Sequence, residues 1–247
     1  MLRRLSEGKG ENMVTTPLLD AKLVAIVNQL FPRLSRAEQQ ISVALYRMLA
    51  EGRPVTREAL AARAGLPRTQ VDSVLGDWYG VFYDAAGKII GYWGLALQKM
   101  GHRLRIDGQT LYTWCAWDTL FLPQILGTVA EVESNCPVSG ETMRLTVAPA
   151  GIQAVDPLDA VMSFVTPEQA KVKENIVLNF CHYVHFFRSS EAAEVWRSEH
   201  AGTRLLTVEE AWALGREKNA FQYGELWGSI SAADSTQDVK QQSCCAG

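Results

Sequence analysis

Pro54-Val-Thr-Arg-Glu-Ala-Leu-Ala-Ala-Arg-Ala-Gly-Leu-Pro-Arg-Thr-Gln-Val-Asp-Ser-Val-Leu-Gly-Asp-Trp78 reads as helix, turn, helix. Thr56 can cap a helix over Arg57–Ala64, Gly65 can end it in the left-handed region, and Thr69–Trp78 supplies the next helix. Two strands, Val81–Tyr83 and Ile89–Leu97, follow around the turn at 84–87, which is the winged-helix order. Upstream, Leu23, Ile26 and Leu30 recur at helical spacing, as do Ile41, Leu45 and Met48, and Ser35 with Glu38 forms a capping-box pattern. A DNA-reading helix would show a basic face. Over residues 36–80, six arginines stand against five acids, too little charge to neutralise several phosphates. The fragment therefore reads as a packing module.

After Met100 the texture changes. Arg103–Ile106 and Gln109–Tyr112 flank Asp107-Gly108, a strong hairpin signal. A helix is expected from Thr113 toward Leu122, disturbed by Pro123. Strands are expected over Thr128–Ser134, Met143–Val147, Ala160–Val165 and Asn175–Phe187. Helices are expected over Ser190–Glu199 and Val208–Ala220, the latter capped by Thr207. The fold class is α+β: a helical, winged-helix-like N-terminal part packed on a mixed core with small antiparallel sheets. The division expected is a flexible leader (1–13), the winged-helix-like domain (14–98), a catalytic core (99–227) and a flexible polar tail (228–247).

The 247 residues are 47% hydrophobic, carry a net charge of −3 and include five cysteines. That charge gives no sign of a nucleic-acid partner. No apolar run reaches the ~18 residues that span a bilayer, and the N-terminus lacks a secretion signal. A cytoplasmic protein with reduced thiols and no membrane partner is expected.

Chemistry concentrates at Trp114-Cys-Ala-Trp-Asp118 and Phe180-Cys181. On a helix, Cys115 and Asp118 would share a face. Two thiolates and an acid suit a soft metal and delivery of a proton to what it carries. A helix N-terminus at Cys115 would favour its thiolate. A dry wall of Trp114, Trp117, Phe180 and Phe186 would raise the pKa of Asp118. Three other readings stay open on the residues alone. Cys115 and Asp118 can be ordinary core and surface groups. Cys115, Cys136, Cys181, His182 and His185 can hold zinc, although no paired-knuckle spacing is present. Cys115 with His185 can be a thiol hydrolase, although no oxyanion loop is recognisable.

Thr113-Trp-Cys-Ala-Trp-Asp-Thr-Leu120, Glu131-Val-Glu-Ser-Asn-Cys136 and Phe180-Cys-His-Tyr-Val-His-Phe-Phe187 together resemble organomercurial lyase (alkylmercury lyase), and the similarity runs from about residue 18 to 224. The resemblance implies a helical N-terminal domain on a core with separate small antiparallel sheets. By position, Cys115 and Cys181 resemble the family's mercury-binding cysteines, Asp118 its proton-shuttling acid, and Cys136 a buried structural cysteine. Where the family often has a second cysteine after the catalytic one, this chain has His182; that neighbour is not thought essential. The implied reaction is protonolysis of R–Hg(II) to R–H and Hg(II) in mercury detoxification. Mercury enters as substrate, no cofactor is implied, and low-molecular-weight thiols are needed for product release. The chain's end, Thr236-Gln-Asp-Val-Lys-Gln-Gln-Ser-Cys-Cys-Ala-Gly247, resembles the end of mercuric reductase. Cys244 and Cys245 can therefore serve as a tethered thiol pair, with hand-off to a reductase, or be a remnant without a role. The alternative from another class is a winged-helix regulator sensing a thiophilic metal through Cys115, Cys136 and Cys181.

Overall fold

The computed structural model describes residues 19–166 and 169–232. The leader (1–13) and the Cys244–Cys245 pair lie outside the described residues.

The front of the chain folds as its local signals direct. Helix α1 (Ala21–Leu30) is capped by the Asp20 carboxylate, which accepts the Lys22 N–H at 2.9 Å. Helix α2 (Arg36–Ala50) opens on the capping box: Glu38 accepts the Ser35 N–H at 2.7 Å, and Ser35 accepts the Glu38 N–H. Helix α3 (Arg57–Ala64) is capped by Thr56 and stopped by Gly65 at φ 67°, and α4 (Arg68–Asp77) follows. Arg57 pairs with Asp72, Arg68 with Asp72 and Glu58, and Arg53 and Arg63 both reach Glu51. Four of the six arginines noted above are thus neutralised by the module's own acids.

Strands β1 (Val81–Tyr83), β2 (Ile89–Tyr92), β3 (Leu95–Ala96), β4 (His102–Ile106), β5 (Gln109–Thr113), β6 (Ala130–Asn135), β7 (Thr142–Ala148) and β8 (Gly151–Asp156) form one antiparallel sheet in the order β1-β2-β3-β5-β4-β6-β7-β8. The expected strand Ile89–Leu97 is split, because Trp93 (φ 31°) and Gly94 (φ 98°) turn the chain back. The Asp107-Gly108 hairpin is present, both residues at positive φ as a type I′ turn requires. The pairing of β3 with β5 carries the sheet out of the β1–β2 hairpin into the rest of the molecule. Strand β8 was not anticipated: only Ile152 and Val155 along it are even half-buried apolar groups, so its pattern is weak.

A second antiparallel sheet has the order β10-β9-β11, from β9 (Val161–Val165), β10 (Phe186–Phe187) and β11 (Thr203–Thr207). Between β9 and β10 lie α6 (Gln169–Glu174), α7 (Ile176–Asn179) and a single 3₁₀ turn, Cys181–Tyr183. The expected long strand over Asn175–Phe187 is therefore wrong. Asn175 accepts the Leu178 N–H at 3.0 Å and starts a helical turn, so only the two phenylalanines enter a sheet. An apolar run this short does not separate strand from buried helix.

Helix α5 (Asp118–Leu126) sits at the centre, with all its apolar residues buried except the half-buried Leu126. It begins five residues later than expected and runs through Pro123. Helix α8 (Ser190–Arg197) covers the smaller sheet, with Trp196 against Phe187 at 5.5 Å. The last helix, α9 (Val208–Ala232), starts on a Thr207–Glu210 capping box and kinks at Gly224. It continues through residue 232, so the expected tail at 228 begins as helix and its remainder lies outside the described residues. Gly215 lets α9 approach α5: a Cβ there would meet the Phe121 Cβ at 2.8 Å. At that crossing the Trp117 indole N–H donates to the Ala211 carbonyl at 2.9 Å. A buried chain of hydroxyls, Tyr92–Ser42–Tyr223, ties β2, α2 and α9 together at 3.0 and 2.7 Å.

Candidate active site

Three short segments meet around α5. Strand β5 delivers Thr113, whose hydroxyl donates to the Cys115 carbonyl at 2.9 Å. The Trp114 N–H donates to the Gly94 carbonyl at 2.9 Å, fixing the segment to the turn after β2. The Ala116 N–H donates to the Val184 carbonyl at 3.1 Å, joining the Cys115 segment to the turn that carries Cys181. Cys115 lies ahead of α5, not on it. Asp118, the first residue of the helix, folds its carboxylate back onto the Cys115 N–H at 2.8 Å. The i, i+3 relation survives, through this hydrogen bond instead of a shared helical face.

The outcome is a compact triad. One ligand atom from each of Cys115, Asp118 and Cys181 lies within 4.8 Å of the other two. All three are buried, at 0%, 6% and 3% exposure. Among the described residues, no other cluster of histidines, cysteines and acids is arranged to hold a metal. Cys136 is buried at the end of β6, outside the triad. His185 gives its Nε2 to the His182 carbonyl at 2.7 Å and packs on Trp196, also apart from Cys115. The zinc and thiol-hydrolase arrangements are thus not formed.

The electrostatics differ from the sequence expectation at one point. Burial pushes the Cys115 thiol well up, with the Cys181 contact and the Asp118 charge adding to it, so no helix terminus makes it a resting thiolate. At Cys181 the hydrogen bond with Cys115 favours the anion, but burial and Asp118 outweigh it and the thiol is also raised. Asp118 moves as expected: burial lifts it to about 6, against the pull of the Cys115 N–H and thiol and of Lys218. At neutral pH the triad therefore holds two neutral thiols beside a carboxylate able to accept a proton.

The surrounding wall is aromatic. Phe31, Trp117 and Phe164 meet Phe180 edge-on with ring centroids 5.4–6.2 Å apart. Trp114 instead packs on Phe82 at 5.0 Å, lining an apolar cavity of about 360 Å³ with Met100 and Leu178. Phe186 is buried in the smaller sheet beside His102. Cys136 is less apolar in its surroundings than expected. Burial would raise its thiol, but hydrogen bonds from the Ser139 side chain and from the N–H groups of Ser139, Arg188 and Val138 bring it below its ordinary value.

Two residues of the site were not foreseen. Gly94 packs its Cα directly on the Asp118 carboxylate: a Cβ would stand 2.4 Å from Cγ and Oδ1. Lys218 is 3% exposed, with Nζ 3.7 Å from the centre of the Phe121 ring and 3.2 Å from the Asn219 amide oxygen. Burial pulls its pKa down to about 7, against the pull of Asp118. Its trace in the sequence is its spacing from Ala211 and Leu214, which places a lysine on the apolar face of α9. Lys218, Tyr46 and Trp93, the residue before Gly94, line a cavity of about 470 Å³.

A dry site that brings two soft sulfurs and one carboxylate within 4.8 Å of one another has the donor set of a protein acting on a soft metal centre. A family model described as alkylmercury lyase matches residues 95–219. An alkylmercury lyase of Pseudomonas putida is 43% identical over 173 residues, covering 70% of this chain and 80% of that protein. One from Staphylococcus epidermidis is 43% identical over 177 residues, covering 71% and 80%. Among solved structures, the crystal structure of the mercury-bound form of MerB2 superposes with a TM-score of 0.67 at 25% identity, covering 82% of this chain and 99% of that one. The chain belongs to the alkylmercury lyase family.

Proposed function

We propose that this chain cleaves the carbon–mercury bond of organomercurials by protonolysis, with Cys115, Cys181 and Asp118 as the reacting groups. The convergence of two sulfurs and a carboxylate oxygen within 4.8 Å is the observation that carries the reading. For a substrate R–Hg–X, the Asp118 carboxylate takes a proton from one thiol. The thiolate binds mercury and X leaves with that proton. The second thiol gives its proton to Asp118 as its sulfur coordinates. Two electron-donating sulfurs weaken the carbon–mercury bond, and Asp118 passes the proton to carbon. The balance is R–Hg–X plus two cysteine thiols giving R–H, HX and mercury(II) on two thiolates. No organic cofactor enters this scheme.

The aromatic wall excludes water, which would otherwise weaken these interactions and compete for the proton. Cys136 has a structural role, and residues 14–98 serve as a packing module for the core at 99–227. Mercury(II) leaves to low-molecular-weight thiols and onward to a reductase, in the cytoplasm. Among the described residues, no helix is long and apolar enough to cross a membrane. The test is to mix the protein with methylmercury and excess thiol and to measure methane in the headspace, with Cys115→Ser as control. A protein that binds mercury but releases no hydrocarbon sinks the proposal.

A further inference from the structure

We propose that the cavity of about 470 Å³ beside the triad is a binding site for a carboxylate-bearing low-molecular-weight thiol, the co-reactant that exchanges mercury with Cys115 and Cys181. This inference rests on the lyase reading above, because it supplies the outside thiol that product release requires.

The cavity is lined by three cations, Arg33, Lys173 and Lys218, and by two acids, Glu38 and Asp77. Glu38 is already committed, holding the Ser35 N–H at 2.7 Å in the capping box of α2. Arg33 lies over the Phe221 ring at 5.0 Å. Among the described residues, no carboxylate is within ion-pair distance of any of the three cations. Lys218 is the strongest pointer. A buried ammonium is costly without an anionic partner. This one has an amide oxygen, two aromatic faces and the more distant field of Asp118. A ligand carboxylate would complete its shell, and Arg33 and Lys173 at the mouth would steer and hold a second one. Asp77 remains for an ammonium group, and the Trp93 ring for an alkyl stem. A volume of this size lies within the range of about 300–1,000 Å³ usual for small-ligand sites.

Its position suits exchange. Trp93 lines the cavity and its carbonyl accepts the Tyr46 hydroxyl at 2.8 Å. The next residue, Gly94, is the one packed on the Asp118 carboxylate. The cavity wall at Trp93 is thus one residue from the contact with Asp118, although no residue of the triad lines the cavity itself. In the exchange each incoming sulfur forms a bond to mercury as a cysteine sulfur leaves it. The incoming thiol's proton ends on the departing cysteine. Two such steps give a bis-thiolate mercury(II) complex and two cysteine thiols, with no change of oxidation state.

S-methylglutathione, which keeps both carboxylates and the ammonium but cannot bind mercury as a thiolate, is the probe. Titrated into the full chain and followed by tryptophan fluorescence, it is expected to bind saturably, since Trp78 and Trp93 are in the cavity wall. The double variant Arg33→Glu, Lys173→Glu changes two exposed residues, and its fold is checked by circular dichroism. It should weaken binding at least about tenfold, and Lys218→Met should weaken it as well. No saturable signal, or equal affinity in the charge-reversed protein, or equal binding of uncharged methyl 2-hydroxyethyl sulfide, overturns the proposal. Because the probe needs no mercury, this result is independent of methane release. Loss of methane with binding intact would count against the lyase reading and leave the site standing.

Discussion

Replacing Gly94 with alanine is the sharpest perturbation the geometry offers. At φ 98° the position is strained for any residue with a side chain, and the new methyl would lie 2.4 Å from both Cγ and Oδ1 of Asp118. The carboxylate cannot retreat easily, because it is buried and held by the Cys115 N–H at 2.8 Å. Left-handed backbone costs an L-residue roughly 1–2 kcal/mol, and loss of a hydrogen bond to a charged group roughly 1.5–3 kcal/mol. Together they amount to about 2.5–5 kcal/mol. For a chain of this size each kcal/mol lowers Tm by roughly 2–4 °C, so a fall of about 5–20 °C is expected. Displacing the carboxylate should also stop proton delivery while both sulfurs remain. Thermal melts by circular dichroism read the stability, the ultraviolet charge-transfer band of thiolate-bound mercury reads metal uptake, and headspace gas reads cleavage. A Gly94→Ala protein with wild-type Tm and wild-type methane release would refute the packing of Asp118 on Gly94 as a requirement of the reaction.

Cys115→Ser and Cys181→Ser should each abolish methane release, and near-normal turnover in either removes that sulfur from the mechanism. Asp118 is raised by burial to about 6, so the folded state favours its protonated form. Its contribution to stability is full below the ordinary carboxylate range and is lost as pH rises through about 6. Asp118→Asn should therefore flatten the decline of Tm between about pH 4 and pH 6; an unchanged profile would contradict the shift. Asp118→Asn should also lose cleavage and slow mercury uptake, because both thiols pass their protons to this carboxylate, and wild-type methane release would exclude it as the proton carrier. Cys136→Ser should retain turnover and cost less than about 1 kcal/mol in a melt, because its neighbours can satisfy a hydroxyl; a loss of several kcal/mol would mean the site is apolar after all.

The front of the molecule was legible because its signals are local. Ser35 with Glu38, Thr56, Gly65 and Asp107-Gly108 each determine backbone geometry within a few residues, and each does so in the structure. The site was legible as a set of residue types and positions, not as a conformation. The helical turn at Asn175 and the return of Asp118 to Cys115 rest on bonds three residues apart, but these residue types support other local conformations as well, so the sequence does not choose between them. The break at Trp93-Gly94 and the seating of the Cys115 segment depend on contacts distant in the chain, Trp114 to Gly94 and Ala116 to Val184. Lys218 and Gly94 were missed for the same reason: what makes each significant is a neighbour far away in sequence, Phe121 and Asp118 respectively.

The elevated thiol pKa values at Cys115 and Cys181 imply a form of self-protection. Peroxides and alkylating reagents attack the sulfur anion, and oxidation follows anionic character and exposure. A pair kept protonated and sealed behind aromatic rings presents little of either, so it stays silent toward hard or bulky electrophiles. Deprotonation becomes favourable when a heavy, polarisable cation arrives with affinity enough to compensate for it. The selectivity of the enzyme for its toxic cargo would then originate in the unreactiveness of its sulfurs at rest.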